Sequence, residues 1–141
     1  MRSTIDKTLE HIMFLSRHLD QCDIRGAIIV ILMEIKMPTN QVGFEFLKYA
    51  IHLQKLDPTR SLTNDIYAEI CLRYRQNSEK QVEQAIMNAI KMAWRHGSKE
   101  AWDWYFSYDG KSACKPSNSE FISRIAYLLE LWQQCRKGGP Q

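Results

Sequence analysis

The residues with the clearest potential for chemistry lie in the stretch NSEKQVEQAIMNAIKMAW, from Asn77 to Trp94. Its side-chain amides recur at helical spacing, because Gln81, Gln84 and Asn88 follow one another at intervals of three and four. Residues at these intervals share one side of a helix. A Gln or Asn amide can pair with the N6 and N7 edge of adenine in the DNA major groove. The stretch therefore fits either a helix that contacts DNA bases or a surface helix with ordinary polar residues.

The other reactive residues form no catalytic or metal-binding motif. The segment GKS at Gly110–Ser112 resembles the end of a phosphate-binding loop, but Tyr105 stands where that loop needs its first glycine. The carboxylates are spread along the chain as solvated helix charges. Widely spaced cysteines without a C-x-x-C pair argue against a disulfide framework or a zinc site, and here they are Cys22, Cys71, Cys114 and Cys135. We expect no enzyme activity, no small-molecule substrate, no cofactor and no metal.

Length and composition predict an ordinary globular domain. The chain has 141 residues, of which 45% are hydrophobic and 25% charged, so it can bury one core. The longest apolar stretch, Ala27–Met33, is too short to span a membrane. The N-terminus MRSTIDKTLE has no apolar segment of the signal-peptide type. We therefore expect a cytoplasmic protein with no membrane contact.

Positive charge is concentrated around the amide-bearing stretch. Formal net charge is +3 overall, yet residues 71–99 alone hold six Lys or Arg against two Glu. The net charge of this segment, +4, therefore exceeds the +3 of the whole chain, and the remaining residues have a net charge of −1. Such a cluster favours an anionic partner, with a solvated helix face as the alternative explanation.

The spacing of apolar residues predicts an all-α protein of about six to seven helices, with no strand. We divide it into an N-terminal amphipathic helix at 1–22, a helical domain at 23–136 and a disordered tail at 137–141. The N-terminal helix has one aliphatic side, formed by Ile5, Leu9, Ile12, Leu15 and Leu19.

Helix start and stop signals divide the first half of the domain. A second helix runs from about Ile24 to Lys36 and is stopped by Pro38. Asn40 is a candidate cap for the third helix, and Asp57-Pro58 ends it because the residue before proline avoids the α region. The fourth helix is TNDIYAEICLRYR, with Ile66, Ile70 and either Leu72 or Tyr74 directed inward.

Capping signals also mark the second half. Ser78 and Gln81 have the form of a capping box, and Gly97 is a candidate C′ residue for the helix that Ser78 begins. A short aromatic helix follows (EAWDWYF). Ser117 and Glu120 form a second capping box before the last helix, whose inward residues are Phe121, Ile122, Ile125, Leu128, Leu129 and Trp132. A base-stacking surface is the alternative to a core role for the aromatic residues Trp94, Trp102, Trp104, Phe106 and Tyr108, and we favour the core.

The helix that begins at Ser78 has two distinct faces. Its apolar face includes three alanines, which permit close packing on a neighbouring helix, and consists of Val82, Ala85, Ile86, Ala89 and Ala93. Its polar face consists of Lys80, Glu83, Gln84, Met87, Asn88 and Lys91, with Gln81 at the edge. Together with the preceding helix and a three-residue break, this helix fits a helix-turn-helix, in which the second helix enters the major groove.

Three segments carry a resemblance to a known family. They are IIVILMEIKMPTNQVGFEFLKYAI, VEQAIMNAIKMAW and KPSNSEFI, and their order and spacing agree over roughly Ile24 to Leu131. The chain resembles the C-terminal DNA-binding effector domain of the sporulation stage-zero response regulator. The resemblance implies an all-helical domain of about six helices, with the helix from Ser78 as recognition helix. It also implies tandem binding to short boxes on double-stranded DNA.

Two departures from the family pattern change what we expect. No receiver domain with a phospho-acceptor aspartate precedes the effector part, so we expect DNA binding without activation by phosphodonors. The family's Arg-Val-Glu-Arg-Ala-Ile-Arg-His is replaced here by residues 81–88, QVEQAIMN. Arginine is the commonest side chain that contacts guanine, so the family's guanine-containing box is not expected.

The leading hypothesis is a stand-alone DNA-binding regulator of transcription. The residues predicted to face bases are Lys80, Gln81, Glu83, Gln84 and Asn88. The predicted phosphate contacts are the hydroxyl of Ser78 with the helix N-terminus, and Arg73, Arg75, Lys91, Arg95, Lys111 and Lys115. Arg73 and Arg75 are equally explained as ordinary surface charges. The alternative hypothesis is a protein-interaction module that kept the fold, lost specific DNA binding and modulates a related regulator.

The aliphatic side of the N-terminal helix is expected to pack, either on its own domain or across a two-fold homodimer interface. Five large aliphatic residues are too much apolar surface to leave in water, at about 25 cal/mol per Å². The double substitution Leu9→Asp with Leu15→Asp should therefore lower the melting temperature or dissociate a dimer. Thermal unfolding and gel filtration measure the two effects. An unchanged melting temperature together with an unchanged elution volume would contradict the prediction.

Overall fold

The structure is a computed structural model that describes residues 23–107 and 112–137. The expected N-terminal helix, Tyr108, Lys111 and the last four residues lie outside the described residues. Within the described ranges the chain is helical and has no strand, which confirms the all-α prediction. No helix in these ranges is both long and apolar enough to span a bilayer. The helices are α1 (Ile24–Glu34), α2 (Val42–Leu56), α3 (Tyr67–Arg73), α4 (Glu79–His96), α5 (Lys99–Phe106) and α6 (Asn118–Lys137).

Helix α1 ends two residues before the predicted Lys36, because the backbone of Lys36 turns left-handed at φ 63°. The N–H of Met37 donates to the Leu32 carbonyl at 3.1 Å, and the N–H of Lys36 donates to the Met33 carbonyl at 3.0 Å. This pair of bonds is the Schellman motif, which satisfies the last carbonyls of a helix.

Helix α2 differs from the prediction at its start. The residue that caps it is Gln41, in extended conformation and without a side-chain capping bond, so the expected cap at Asn40 is wrong by one residue. Its end is as predicted. The N–H of Asp57 donates to the Leu53 carbonyl, and the carboxylate of Asp57 accepts from the hydroxyl of Thr59 at 2.6 Å.

The fourth predicted helix begins as a π-helical turn, Leu62–Ile66, and continues as α3. The turn is held by Arg60, whose guanidinium donates to Asp65 at 2.6 Å and to Glu69 at 2.7 Å. The helix ends at Arg73, two residues before the predicted end at Arg75.

The two alternatives for the inward residue at the end of α3 are resolved by packing. The ring of Tyr74 lies 5.2 Å from that of Phe46 in an edge-to-face arrangement, whereas Leu72 is 81% exposed. Tyr74 is therefore the inward residue. Leu72 projects from the outer side of α3.

Helix α2 lies at the centre of the domain, and its most extensive contacts are with α6 and α4. Phe46, Leu47 and Ile51 are fully buried in it. Every predicted inward residue of α6 is buried as well. The residues of α6 that face this core are Phe121, Ile122, Ile125, Leu128, Leu129 and Trp132.

Of the aromatic residues predicted for the core, the four that the structure describes are buried or pack against it, namely Trp94, Trp102, Trp104 and Phe106. Trp102 and Phe106 are buried, and Trp94 packs edge-to-face on Trp102 with ring centroids 5.0 Å apart. The indole N–H of Trp102 donates to the Ala93 carbonyl at 3.2 Å, which joins α5 to the end of α4. Because these ring faces pack on one another, they are not a surface on which bases could stack.

Gly97 is required for a different reason than the one predicted. It is the C-cap residue of α4 with φ −75°, so it does not use the left-handed conformation of a C′ glycine. A Cβ at this position would lie 2.5 Å from the Ile35 carbonyl oxygen and 2.7 Å from Nε1 of Trp102. The glycine permits a close approach of α1, α4 and α5.

The crossing of α2 and α4 is equally close. A Cβ on Gly43 would lie 2.8 Å from Cβ of Ala89 and closer still to the carbonyl oxygen of Ala85. The two helix backbones therefore touch where each has a small residue, which confirms that the alanines of α4 permit close packing. Phe44 and Phe46, which follow Gly43 in α2, are buried.

Gly43→Ala should destabilise the protein by about 1–3 kcal/mol, because the added methyl group pushes α4 away from α2. Denaturant unfolding measures the loss. Ser123→Ala, at an exposed position of α6, is the control and should change stability by less than about 0.5 kcal/mol. Equal stability of the two variants would contradict the close crossing.

Candidate nucleic-acid interface

Helix α4 begins at the predicted cap. The hydroxyl of Ser78 accepts a hydrogen bond from the Gln81 N–H at 3.2 Å. The side-chain oxygen of Gln81 accepts a hydrogen bond from the N–H of Asn77 at 3.2 Å, whereas in a standard capping box the donor would be the N–H of Ser78. The capping box is thus shifted by one residue. It also engages the acceptor of Gln81, which leaves the amide hydrogens of this exposed side chain available.

The apolar side of α4 anchors the helix in the domain. Val82, Ile86, Ala89 and Ala93 are buried as predicted, and Ala85 is partly buried. Ile90 is also buried, although the predicted apolar face did not include it. The apolar stripe is therefore wider by one residue, and it fixes which side of α4 faces outward.

The outward side of α4 carries the predicted polar residues. Glu83 is half-buried, whereas six side chains are exposed, namely Lys80, Gln81, Gln84, Met87, Asn88 and Lys91. The amide nitrogen of Gln84 donates to the amide oxygen of Asn88 at 3.1 Å. The two amides thus lie one above the other, as their spacing predicts, and they orient each other.

A tight turn leads into α4. Arg75 has φ 54°, and the N–H of Gln76 donates to the Cys71 carbonyl at 2.9 Å, so α3 ends in a Schellman motif like that of α1. Three residues, 75–77, separate the C-cap Tyr74 from the N-cap Ser78. This agrees with the predicted three-residue break, and Arg75 is exposed within it.

A groove beside α4 brings together two of the predicted phosphate-contacting residues. Lys91 and Arg95 line it with Asn88 on one side, and the start of α2 at Gln41–Gly43 lines it on the other. A helix start leaves its first N–H groups without intrahelical partners, and Gln41–Gly43, which line this groove, stand at the start of α2. The result is a surface with two cations and the positive end of a helix.

Arg73 lies in another cleft. Its guanidinium stacks on the ring of Tyr49 at 4.9 Å, and it lines a cleft with Arg25 and His52 between α1, α2 and α3. Burial, followed by the nearby Arg25 and Lys55, lowers the pKa of His52. The structure therefore does not bring Arg73 together with Lys91 and Arg95.

Two predicted phosphate contacts remain, Lys111 and Lys115. Lys115 is exposed in the segment before α6, and Lys111 lies outside the described residues. Among residues 23–107 and 112–137, no group of three or more His, Cys, Asp or Glu side chains is placed to hold a metal ion.

Sequence reasoning missed two features of this surface. It gave no role to Gln41–Gly43, because nothing in their spacing indicates that α2 starts beside α4. It also gave none to Asn118, whose side-chain amide bonds to the backbone of α4 at Glu83. Asn118 stands in the segment KPSNSEFI, but residues this far apart in sequence have no periodic relation.

Comparison with known families identifies the domain. The family model described as Sporulation initiation factor Spo0A C terminal matches residues 28–129. The match begins inside α1 and ends inside α6, so it includes α2 to α5 and all the described residues that line the surface of α4. It confirms the resemblance found in the sequence. The chain belongs to the Spo0A C-terminal family, the DNA-binding effector domains of sporulation regulators.

Proposed function

We propose that this protein is a regulator that binds double-stranded DNA by placing α4 in the major groove, with α3 as the first helix of a helix-turn-helix. One observation carries the proposal. The side of α4 opposite its buried stripe presents polar and basic groups to solvent, including the mutually oriented amides of Gln84 and Asn88. Membership of a DNA-binding family supports the same function.

The proposed base contacts come from residues 80–88 of α4. Lys80, Gln81, Glu83, Gln84 and Asn88 are the candidates, and all except Glu83 are exposed. The Gln84–Asn88 hydrogen bond uses one donor and one acceptor, so an acceptor on Gln84 and a donor on Asn88 remain for base edges. Adenine presents a donor and an acceptor in the major groove, which favours a box containing A·T pairs over a guanine-rich one.

The proposed phosphate contacts flank these bases. Ser78 and the start of α4 lie at one end, and the groove formed by Lys91, Arg95 and the start of α2 lies along the side. Helix N-termini bind phosphate through free N–H groups and the helix dipole. Arg75, Lys111 and Lys115 are further candidates. We leave Arg73 out, because its guanidinium is stacked on Tyr49 in a separate cleft.

A protein-interaction role is the second candidate function, and Met87 favours it. Met87 is 42% exposed in the middle of the polar face of α4. Its side chain has no strong hydrogen-bonding group for a base edge, although it can contact a thymine methyl group. Met side chains are frequent in adaptable protein interfaces.

Selection of bound sequences from a random duplex library should yield a defined box with the wild-type protein. Gln84→Ala should then lose about 1–3 kcal/mol of binding free energy on that box and relax the preference at one base position. Lys91→Ala should weaken binding to all sequences alike and reduce the slope of log affinity against log salt by about one. Titrations on the selected box and on random duplex, at several salt concentrations, separate the two effects.

The function would be wrong if wild type, Gln84→Ala and Asn88→Ala all bind random duplex equally well and select no sequence. The interaction-module hypothesis would then take the lead. The control for Lys91→Ala is Arg124→Lys, which changes a basic residue away from this surface. Arg124 donates to the Tyr105 carbonyl on α5, so this variant should bind DNA as the wild type does.

Arg75→Gly separates the fold from DNA binding, with Lys36→Gly as its matched control. Both residues are left-handed, at φ 54° and 63°, and both are C′ residues of Schellman motifs. Glycine relieves a left-handed strain of about 1–2 kcal/mol but loses more chain entropy on folding, so each variant should be more stable by up to about 1 kcal/mol. Only Arg75→Gly should lower DNA affinity, because Arg75 is a proposed phosphate contact and Lys36 is not.

Denaturant unfolding and DNA titration of the two variants measure both effects. Equal DNA affinity of Arg75→Gly and Lys36→Gly would remove Arg75 from the proposed phosphate contacts. A loss of stability in both would contradict the left-handed geometry of the two turns.

A further inference from the structure

Asn118, the first residue of α6, connects three helices through one side-chain nitrogen. Its Nδ2 donates to the hydroxyl oxygen of Tyr67 on α3 at 3.0 Å and to the backbone carbonyl of Glu83 on α4 at 3.0 Å. Tyr67 is buried, and burial raises the pKa of its hydroxyl, so this group stays neutral. The contact therefore joins both proposed helix-turn-helix elements to the rest of the core.

The orientation of this amide follows from its partners. A backbone carbonyl only accepts hydrogen bonds, so the group that faces Glu83 must be the NH₂ end of the amide. The two hydrogens of this nitrogen match two acceptors at equal distance. An aspartate in this place has the same shape but no hydrogen to donate to the carbonyl.

Asn118 is itself held firmly. Ser117 and Glu120 form a reciprocal capping box around it, with Glu120 N–H to Ser117 Oγ at 3.2 Å and Ser117 N–H to Glu120 Oε1 at 3.1 Å. The following residues, Phe121 and Ile122, are fully buried. The amide thus projects from a fixed helix start onto α4.

We propose that Asn118 is a positioning residue for base contact, which fixes the axial and rotational position of the first half of α4; this inference rests on the proposed function. Glu83 directly precedes Gln84, so a displacement of the backbone at Glu83 moves the Gln84 side chain with it. The crossing at Gly43 holds α4 at Ala85 and Ala89. Near its N-terminus α4 is otherwise held by the buried Val82, and Asn118 adds a directional hydrogen bond there, without which that half of the helix can shift relative to the crossing.

If Asn118 only stabilised the fold, its loss would lower the free energy of unfolding and leave base preference unchanged. The Glu83 carbonyl lies inside α4, where the helix itself supplies a donor four residues later, so the Asn118 bond is additional there. Its loss leaves only the Tyr67 hydroxyl without that partner. Positional precision is the larger effect, because base contacts require placement within about 0.5 Å.

The test compares Asn118→Asp and Asn118→Ala with Ile125→Val, a control that trims a buried residue of the same helix. The measured quantity is the ratio of affinities for the box selected by the wild-type protein and for random duplex, with the salt dependence of each. Both Asn118 variants should lower this ratio by about 10-fold, the equivalent of one lost base contact, and leave the salt slope unchanged. Ile125→Val should keep the wild-type ratio.

Tyr67→Phe completes the set and is informative even where Asn118→Asp does not fold. It removes the hydrogen bond from Asn118 to the Tyr67 hydroxyl and keeps the one to the Glu83 carbonyl. The variant should therefore have a lower melting temperature and the wild-type affinity ratio. Folded Asn118 variants with the wild-type ratio would overturn the inference while leaving the proposed function intact. A wild-type protein that selects no box would overturn the proposed function and this inference together.

Discussion

The close crossing of α2 and α4 is the constraint on which the rest of this structure depends. Gly43 meets Ala85 and Ala89 with no room for a further carbon, so the two helix backbones are in contact. Helix α2 also packs on α6. At the C-terminal end of α4, the indole N–H of Trp102 on α5 donates to the Ala93 carbonyl. Since one side of α4 is committed to this packing, the other side must face solvent. The same crossing also brings the start of α2 beside Lys91 and Arg95.

Much of this arrangement could be predicted because it is local. The caps at Ser78 and Ser117 and the spacing of Gln84 and Asn88 depend only on residues within one turn of a helix. Contacts between distant segments could not be predicted in this way. Asn118 donates to a backbone carbonyl 35 residues away in the sequence. Every residue has such a carbonyl, so the residue types do not indicate which one is the acceptor. Gly97 was recognised as important but for the wrong reason, since its neighbours come from three helices.

Family membership and the polar face of α4 describe different levels of the molecule. The match over residues 28–129 covers the buried core and the caps at Ser78 and Ser117, which set the fold. Base preference depends on a few exposed side chains, and these can change without cost to the core, because surface substitutions usually have little effect on stability. Under the proposed function the Gln84–Asn88 pair is one such set, with neutral amides on a helix that also exposes Lys80 and Lys91. We therefore expect a preserved mode of binding with a changed target sequence.

The most direct test of this account is an NMR titration of the protein with a DNA duplex that carries the selected box. We expect saturable shifts of backbone amide signals along the outward side of α4, at residues 79–92, and at Val42 and Gly43 at the start of α2. Signals from the cleft around Tyr49 and His52 should stay in place. Shifts confined to that cleft, or no saturable shifts on α4, would contradict the claim that α4 is the DNA-binding helix.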